Sequence, residues 1–227
     1  MKTYQGFTLA EVLITLGIIG IVAAMTLPAL TGSYKNQERS ARVKKFYSMM
    51  SQVILLSENE NGPIEYWEKG AGDIKNEDGE HDMHQNGKEC QQFFYKYIKK
   101  YIKNLKSETA ENNESLCEYK IIFADGSSLC AHNGKCMDLI YDINGEKQPD
   151  KEGYDRFRFI ICTGNDNAVD DAVLRCGSKD KRFCTYGPNI YKTRETAYNA
   201  CKTAPAYCST LLQYDNFEFK KDYPFKL

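Results

Sequence analysis

The chain has 227 residues, with 30 basic side chains against 31 acidic ones and a formal net charge of −1. That balance supplies no general basic field, so nucleic acid is not an expected partner. Roughly 190 residues remain beyond the first apolar segment, which suits one domain with a modest core.

The chain opens on a polar leader, residues 1–6, that ends in Gly6. Residues 6–30 then read GFTLAEVLITLGIIGIVAAMTLPAL, an apolar run broken early by one charge, Glu11. From Val12 to Leu30, 19 residues carry no charge. At about 1.5 Å each, that length matches the hydrocarbon core of a bilayer. A lone carboxylate there costs on the order of 2.5–3.5 kcal/mol on insertion scales, so Glu11 requires a partner.

The segment resembles the N-terminus of type IV prepilins and type II secretion pseudopilins. Gly6 before Phe7, Thr8-Leu9, Glu11 four residues after Phe7, the apolar helix and Pro28 near its end carry the resemblance, over about residues 1–30. It implies cleavage after Gly6 by a prepilin peptidase, and methylation of the new amino terminus at Phe7. It implies that Glu11 pairs with the N-terminal amine of a neighbouring subunit in a fibre. A buried carboxylate is tolerable when a cation neutralises it, and cleavage creates that cation inside the apolar layer. The implied partners are other pilin or pseudopilin subunits, the peptidase, an inner-membrane assembly platform, and lipid before assembly. The implied location is the bacterial inner membrane, single-pass, with the C-terminal domain outside the cytoplasm, then a fibre in the periplasm or at the cell surface.

Two other readings compete. Val22-Ala23-Ala24 could serve an ordinary signal peptidase, which would release a secreted disulfide-rich binding protein starting near Met25. Beyond the span, Lys35, Arg39, Arg42, Lys44 and Lys45 face Glu38 alone. A positive-inside count would place that side in the cytoplasm and make the chain an anchored thiol or zinc protein. The nine cysteines, all at position 90 or later, argue against this, because such usage belongs to an oxidising compartment.

Past Pro28, which should bend the helix, apolar residues recur at helical spacing: Val43, Phe46, Tyr47, Met50, Val53 and Ile54. Gly62-Pro63 ends the pattern. Residues 8–61 thus read as one rod of about 80 Å, with residues 7–30 its membrane and assembly half. Residues 31–227 form the globular domain, including the amphipathic half of the rod.

Residues 62–88 read as a glycine-punctuated loop. His81, Asp82 and His84 have the look of a metal pair but read as solvated side chains. A second helix is expected over 88–106, with Phe93, Phe94, Tyr97, Ile98, Tyr101, Ile102 and Leu105 on one face and lysines on the other. Four strands follow, over 118–124, 127–131, 137–143 and 154–162, punctuated by Asp125-Gly126 and Asn144-Gly145. The expected fold class is α+β: a long N-terminal transmembrane-amphipathic helix packed on an antiparallel sheet, pilin-like and stapled by disulfides.

Asp142, Asn144, Asp150 and Asp155 offer oxygen ligands that a calcium ion could use, as some major pseudopilins do in a loop near the sheet. The preferred reading is an Asx-stabilised hairpin without any cofactor. Residues 193–203 read as a short helix closed by Pro205. Leu211-Leu212 and the aromatics Tyr214, Phe217, Phe219, Tyr223 and Phe225 read as a final extended segment. Local spacing favours Cys130–Cys136, Cys176–Cys184 and Cys201–Cys208, with Cys90–Cys117 tying a helix to a strand and Cys162 left over. No two cysteines stand as C-x-x-C. The chain has no glycine-rich phosphate loop, no G-x-S-x-G and no H-E-x-x-H, so an enzyme is not expected.

Overall fold

The computed structural model describes residues 6–109, 117–163 and 166–225. Residues 1–5 of the leader lie outside them. Helix α1 (Leu9–Asn61) has 53 residues, about 80 Å at 1.5 Å each. It passes position 28 without a break in its helical assignment. It stops where Gly62 takes φ 77°, a conformation glycine adopts freely, and Pro63 cannot resume the helix.

The second half of α1 turns the expected stripe inward. Val43, Phe46, Met50 and Val53 are buried, joined by Ile54 and Ser57, while Leu55 and Leu56 on another face are exposed. Beyond a short 3-10 turn (Ile64–Tyr66) and a loop comes α2 (Met83–Phe93), where the Asp82 side chain accepts the Gln85 N–H at 2.9 Å.

The helix expected over 88–106 therefore starts and ends earlier. After Phe93 the winding loosens into a π turn (Phe94–Ile98), tightens into a 3-10 turn (Lys99–Tyr101) and gives way to strand β1 (Asn104–Thr109). Phe93, Phe94, Tyr97 and Ile98 are buried; the side chain of Leu105 lies outside the described residues. The backbone of 104–109 finds ladder partners along strand β2 (Tyr119–Phe123), and this pairing overrides the helical pattern.

The sheet continues through β3 (Ser128–Asn133), β4 (Met137–Asp142) and β5 (Arg156–Ile161) to β6 (Phe183–Thr185). Neighbours in the sheet follow chain order and every pairing is antiparallel. The sequence reading found β2 to β5. It missed the two edge strands, which are short or polar. Asp125-Gly126 turns β2 into β3, with Gly126 at φ 81°.

Alternation puts Ile121, Phe123, Leu129, Ala131, Leu139, Tyr141, Phe157 and Phe159 on one buried face, and α1 lies against it. Phe46 stacks on Tyr141 with ring centroids 4.1 Å apart, and meets Phe159 at 5.1 Å and Phe123 at 6.4 Å. Behind the sheet, Cys136, Ile160, Cys162, Ala172, Cys176 and Cys184 form a second buried cluster, with Ala172 and Cys176 contributed by α3 (Asp166–Cys176).

Helix α4 (Arg194–Thr203) is capped by Thr193 and followed by Pro205. Leu211 and Leu212 are fully buried in a helix, α5 (Cys208–Tyr214), rather than in an extended segment. Beyond α5 the chain turns rather than extends, with Asn216 and Phe217 at φ 56° and 61°; Phe217 reaches Tyr47 with ring centroids 5.0 Å apart and Tyr223 Oη donates to Gly153 O at 2.6 Å.

The bridges are Cys117–Cys130, Cys136–Cys162, Cys176–Cys184 and Cys201–Cys208. The Cys130–Cys136 and Cys90–Cys117 pairings suggested by spacing do not form. Cys130 lies in mid-ladder opposite Ile140, whereas Cys136 precedes β4 at the hairpin end, next to the end of β5. There Cys162 is 4.4 Å away, Cα to Cα. The unpaired cysteine is Cys90, not Cys162. Its Sγ lies 3.8 Å from Glu118 Oε2. Burial, with the adjacent Glu118 carboxylate, pushes this thiol well above its ordinary range, so it is no ready nucleophile.

Candidate functional site

Gly6, Phe7 and Thr8 precede the first turn of α1 in extended backbone, with Phe7 91% exposed. Thr8 is the N-cap. Its N–H and its hydroxyl both donate to Glu11 Oε2, at 2.8 and 2.7 Å, and Glu11 N–H returns a bond to Thr8 Oγ1 at 3.3 Å. This reciprocal box satisfies backbone donors that a helix start leaves open, and it sets a negative charge where the helix dipole favours one. Glu11 thus has a partner within its own chain. The T-x-x-E spacing signals this arrangement, which stands beside the neighbour's amine that the resemblance implies for Glu11. Glu11 Oε1 makes no hydrogen bond among the described residues, which leaves a carboxylate face for a cation. The side chain of Pro28 lies outside the described residues.

From Leu9 to Leu27 the helix is long and apolar enough to cross a membrane, and the domain buries none of it. Val12, Leu13, Ile14, Leu16, Ile18, Ile19 and Ile21 are all exposed. A helix that is apolar on every face needs lipid or other helices around it.

The basic residues after the span fasten α1 to the domain. Arg39, buried, stacks over Tyr154 and Phe219 at 4.7 and 4.2 Å and donates to Tyr154 O. Arg42 donates to Asp125 O and Ile143 O, at 3.3 and 3.1 Å, and pairs with Glu38. Lys45 pairs with Asp125 at 2.8 Å, and Lys44 donates to Asn216 Oδ1 at 3.3 Å.

Asp142, Asn144, Asp150 and Asp155 do come together in the β4–β5 loop, but the chain itself engages the carboxylates of the three aspartates, and of the four side chains' oxygens only Asn144 Oδ1 is left without a partner among the described residues. Asp142 Oδ1 accepts the N–H groups of Asn144 and Gly145, each at 3.0 Å. Asp155 accepts those of Asp150 and Lys151, at 3.0 and 2.6 Å. The Arg156 guanidinium sits between Asp142 and Asp150, at 2.8 and 2.9 Å. Burial pushes Asp142 up to about 6, against the opposing pull of Arg156 and Asn144. A calcium ion here would have to displace Arg156.

Of the loop histidines, His84 is exposed in the first turn of α2, and Asp82 is spent on the cap. His81 turns instead to Glu118, which also meets His132. No sequence spacing signals that meeting.

A family model described as a prokaryotic N-terminal methylation motif matches residues 1–27, and one described as a family of unknown function, DUF6613, matches residues 29–227. The methylation motif is the signature of type IV prepilins and pseudopilins. No curated protein and no solved structure matches the chain. The seam between the two matched regions falls inside α1.

Proposed function

The chain belongs to the family of unknown function DUF6613 and is, by its methylation motif, a type IV pilin- or pseudopilin-like precursor; from this premise we propose that it matures into a structural fibre subunit. Cleavage after Gly6 frees the Phe7 amine, methylation follows, and subunits polymerise through the apolar half of α1. The protein sits first in the inner membrane, with its disulfide-bonded domain outside the cytoplasm. The observation that carries this reading is the Leu9–Leu27 stretch, apolar on all sides and unburied, continuous with the helix that forms the core of the domain. Such an element is soluble only when covered, by lipid before assembly and by like helices afterwards.

The test is the N-terminal peptide of the membrane-extracted native protein, read by mass spectrometry. A start at Phe7 carrying one extra methyl group is expected. A start near Met25 would make this a secreted domain and end the fibre reading. An intact Met1, in cells with a working prepilin peptidase, would leave a plain anchor.

Within this reading, Glu11→Val should leave cleavage intact and impair incorporation into fibres, as scored by sheared-fibre yield. The Thr8–Glu11 box supplies a control. Thr8→Ala removes the cap, worth about 1 kcal/mol, and keeps the carboxylate. Incorporation should survive Thr8→Ala. If both variants fail equally, Glu11 acts through the helix cap and not as the partner of an amine.

A further inference from the structure

Far along the chain from the apolar segment, the β2–β3 ladder pairs Tyr119 with Ala131. One step further out, Glu118 comes opposite His132. A loop crosses this point: Asp73 N–H donates to Asn133 O at 2.8 Å, and Lys75 bridges to His81. The loop delivers His81 to the pair. His81 Nε2 lies 2.6 Å and His132 Nδ1 2.5 Å from the same oxygen, Glu118 Oε1. The three donor atoms lie within 4.8 Å of one another, around a carboxylate with no exposed surface.

His81 Nδ1 is 2.8 Å from Asp73 Oδ1. When it donates there, a neutral His81 turns the lone pair of Nε2 towards the Glu118 oxygen. His132 Nδ1 is buried 2.5 Å from that same oxygen. Lys69 sends its ammonium to Asn133 Oδ1 and Gly134 O, at 2.9 and 2.8 Å. Among the described residues, no lysine or arginine pairs with Glu118. Three electron-pair donors thus converge on one space, and a buried carboxylate needs a cation.

We propose that His81, Glu118 and His132 bind one divalent transition-metal ion of the zinc class. Two imidazole nitrogens and one carboxylate oxygen are a donor set that zinc accepts, and they leave a fourth position for water. Hard cations such as calcium prefer all-oxygen shells. Ligands about 2.0–2.1 Å from a tetrahedral ion stand about 3.3 Å apart, so Glu118 has to withdraw from both imidazoles, which stand 2.6 and 2.5 Å away, and the two imidazole nitrogens have to close in from their present separation within 4.8 Å. Outer partners are already in place. Asp73 holds the far nitrogen of His81, and Asn133 N–H donates to Glu118 Oε2 at 2.6 Å, which fixes ring and carboxylate in the manner of metal sites. The ion would pin the His81 loop to the sheet, a structural role independent of how α1 assembles.

The test uses the full chain in detergent, stripped with a chelator and then titrated with Zn²⁺ and Co²⁺ against a competing chromophoric chelator. One Zn²⁺ per chain is expected, with visible Co²⁺ absorption and no competition from Ca²⁺. His81→Gln should weaken binding by about 100-fold or more, and Asp73→Asn by about 10- to 100-fold. His84→Gln should change nothing. Glu118→Gln risks misfolding because the site is buried; His81 and Asp73 lie on the covering loop and avoid that risk. Zn²⁺ binding that survives His81→Gln would overturn the proposal. So would the absence of binding, which would leave a proton as the cation between His81 and Glu118.

Discussion

Gly6→Leu is expected to leave the precursor uncleaved and out of the fibre, with no mature chain detectable. The argument separates the fold from the processing enzyme. Gly6 stands outside α1, two residues before its cap, and a Cβ placed there would meet nothing within 4 Å. Leucine therefore costs the protein no packing and no backbone strain. Any loss of cleavage then reports what the peptidase requires at that position. The uncleaved chain also lacks the Phe7 amine, so the open face of Glu11 would find no cation within the apolar layer. Immunoblots of cells with an active prepilin peptidase, with mass spectrometry of the N-terminal peptide, measure this directly. Mature protein at wild-type abundance would remove Gly6 from the processing site.

Phe46→Ala carries the second large effect. Phe46 is 2% exposed and holds three aromatic partners from β2, β4 and β5. Truncating a buried phenylalanine costs about 3–5 kcal/mol, because contacts and filled volume are lost together. A domain of this kind has about 5–15 kcal/mol in total. The melting temperature should fall by about 6–20 °C at this chain length. Leu55→Ala on the same helix, at a side chain 62% exposed, should change stability by no more than about 0.5 kcal/mol. The pair separates loss of helix propensity from loss of core. Equal melting temperatures for the two variants would mean that Phe46 does not pack into the core as described.

Much of this architecture was legible in advance because its signals are local. The Gly6–Leu30 run, the 43–54 stripe and the Asp125-Gly126 turn each state their conformation within a few residues. Strands β2 to β5 followed from alternation, which a half-buried strand imposes on its own sequence. What escaped depends on partners distant in the chain. Residues 104–106 look helical by period and join a strand because β2 supplies hydrogen bonds. Cys136 lies nearer in sequence to Cys130 but nearer in space to Cys162, since adjacent strand ends bring those two together. His81, Glu118 and His132 gave no signal at all, because a loop crossing and a ladder register assemble them. Thr8 differs from these. Its T-x-x-E spacing is local and marks a capping box, a partner for Glu11 that needs no second chain.

All nine cysteines lie at position 90 or beyond, and the four bridges fall between 117 and 208. No covalent stop therefore resists a pull on α1. Tension along the helix meets noncovalent contacts, among them ring packing around Phe46 and Tyr47 and the polar fastenings at Arg39, Arg42, Lys44 and Lys45. Of the remainder, residues 117–208 carry four local cross-links. Under mechanical load the molecule should yield by peeling: the helix detaches from an intact, cross-linked shell, and the shell keeps the shape into which the helix can seat again.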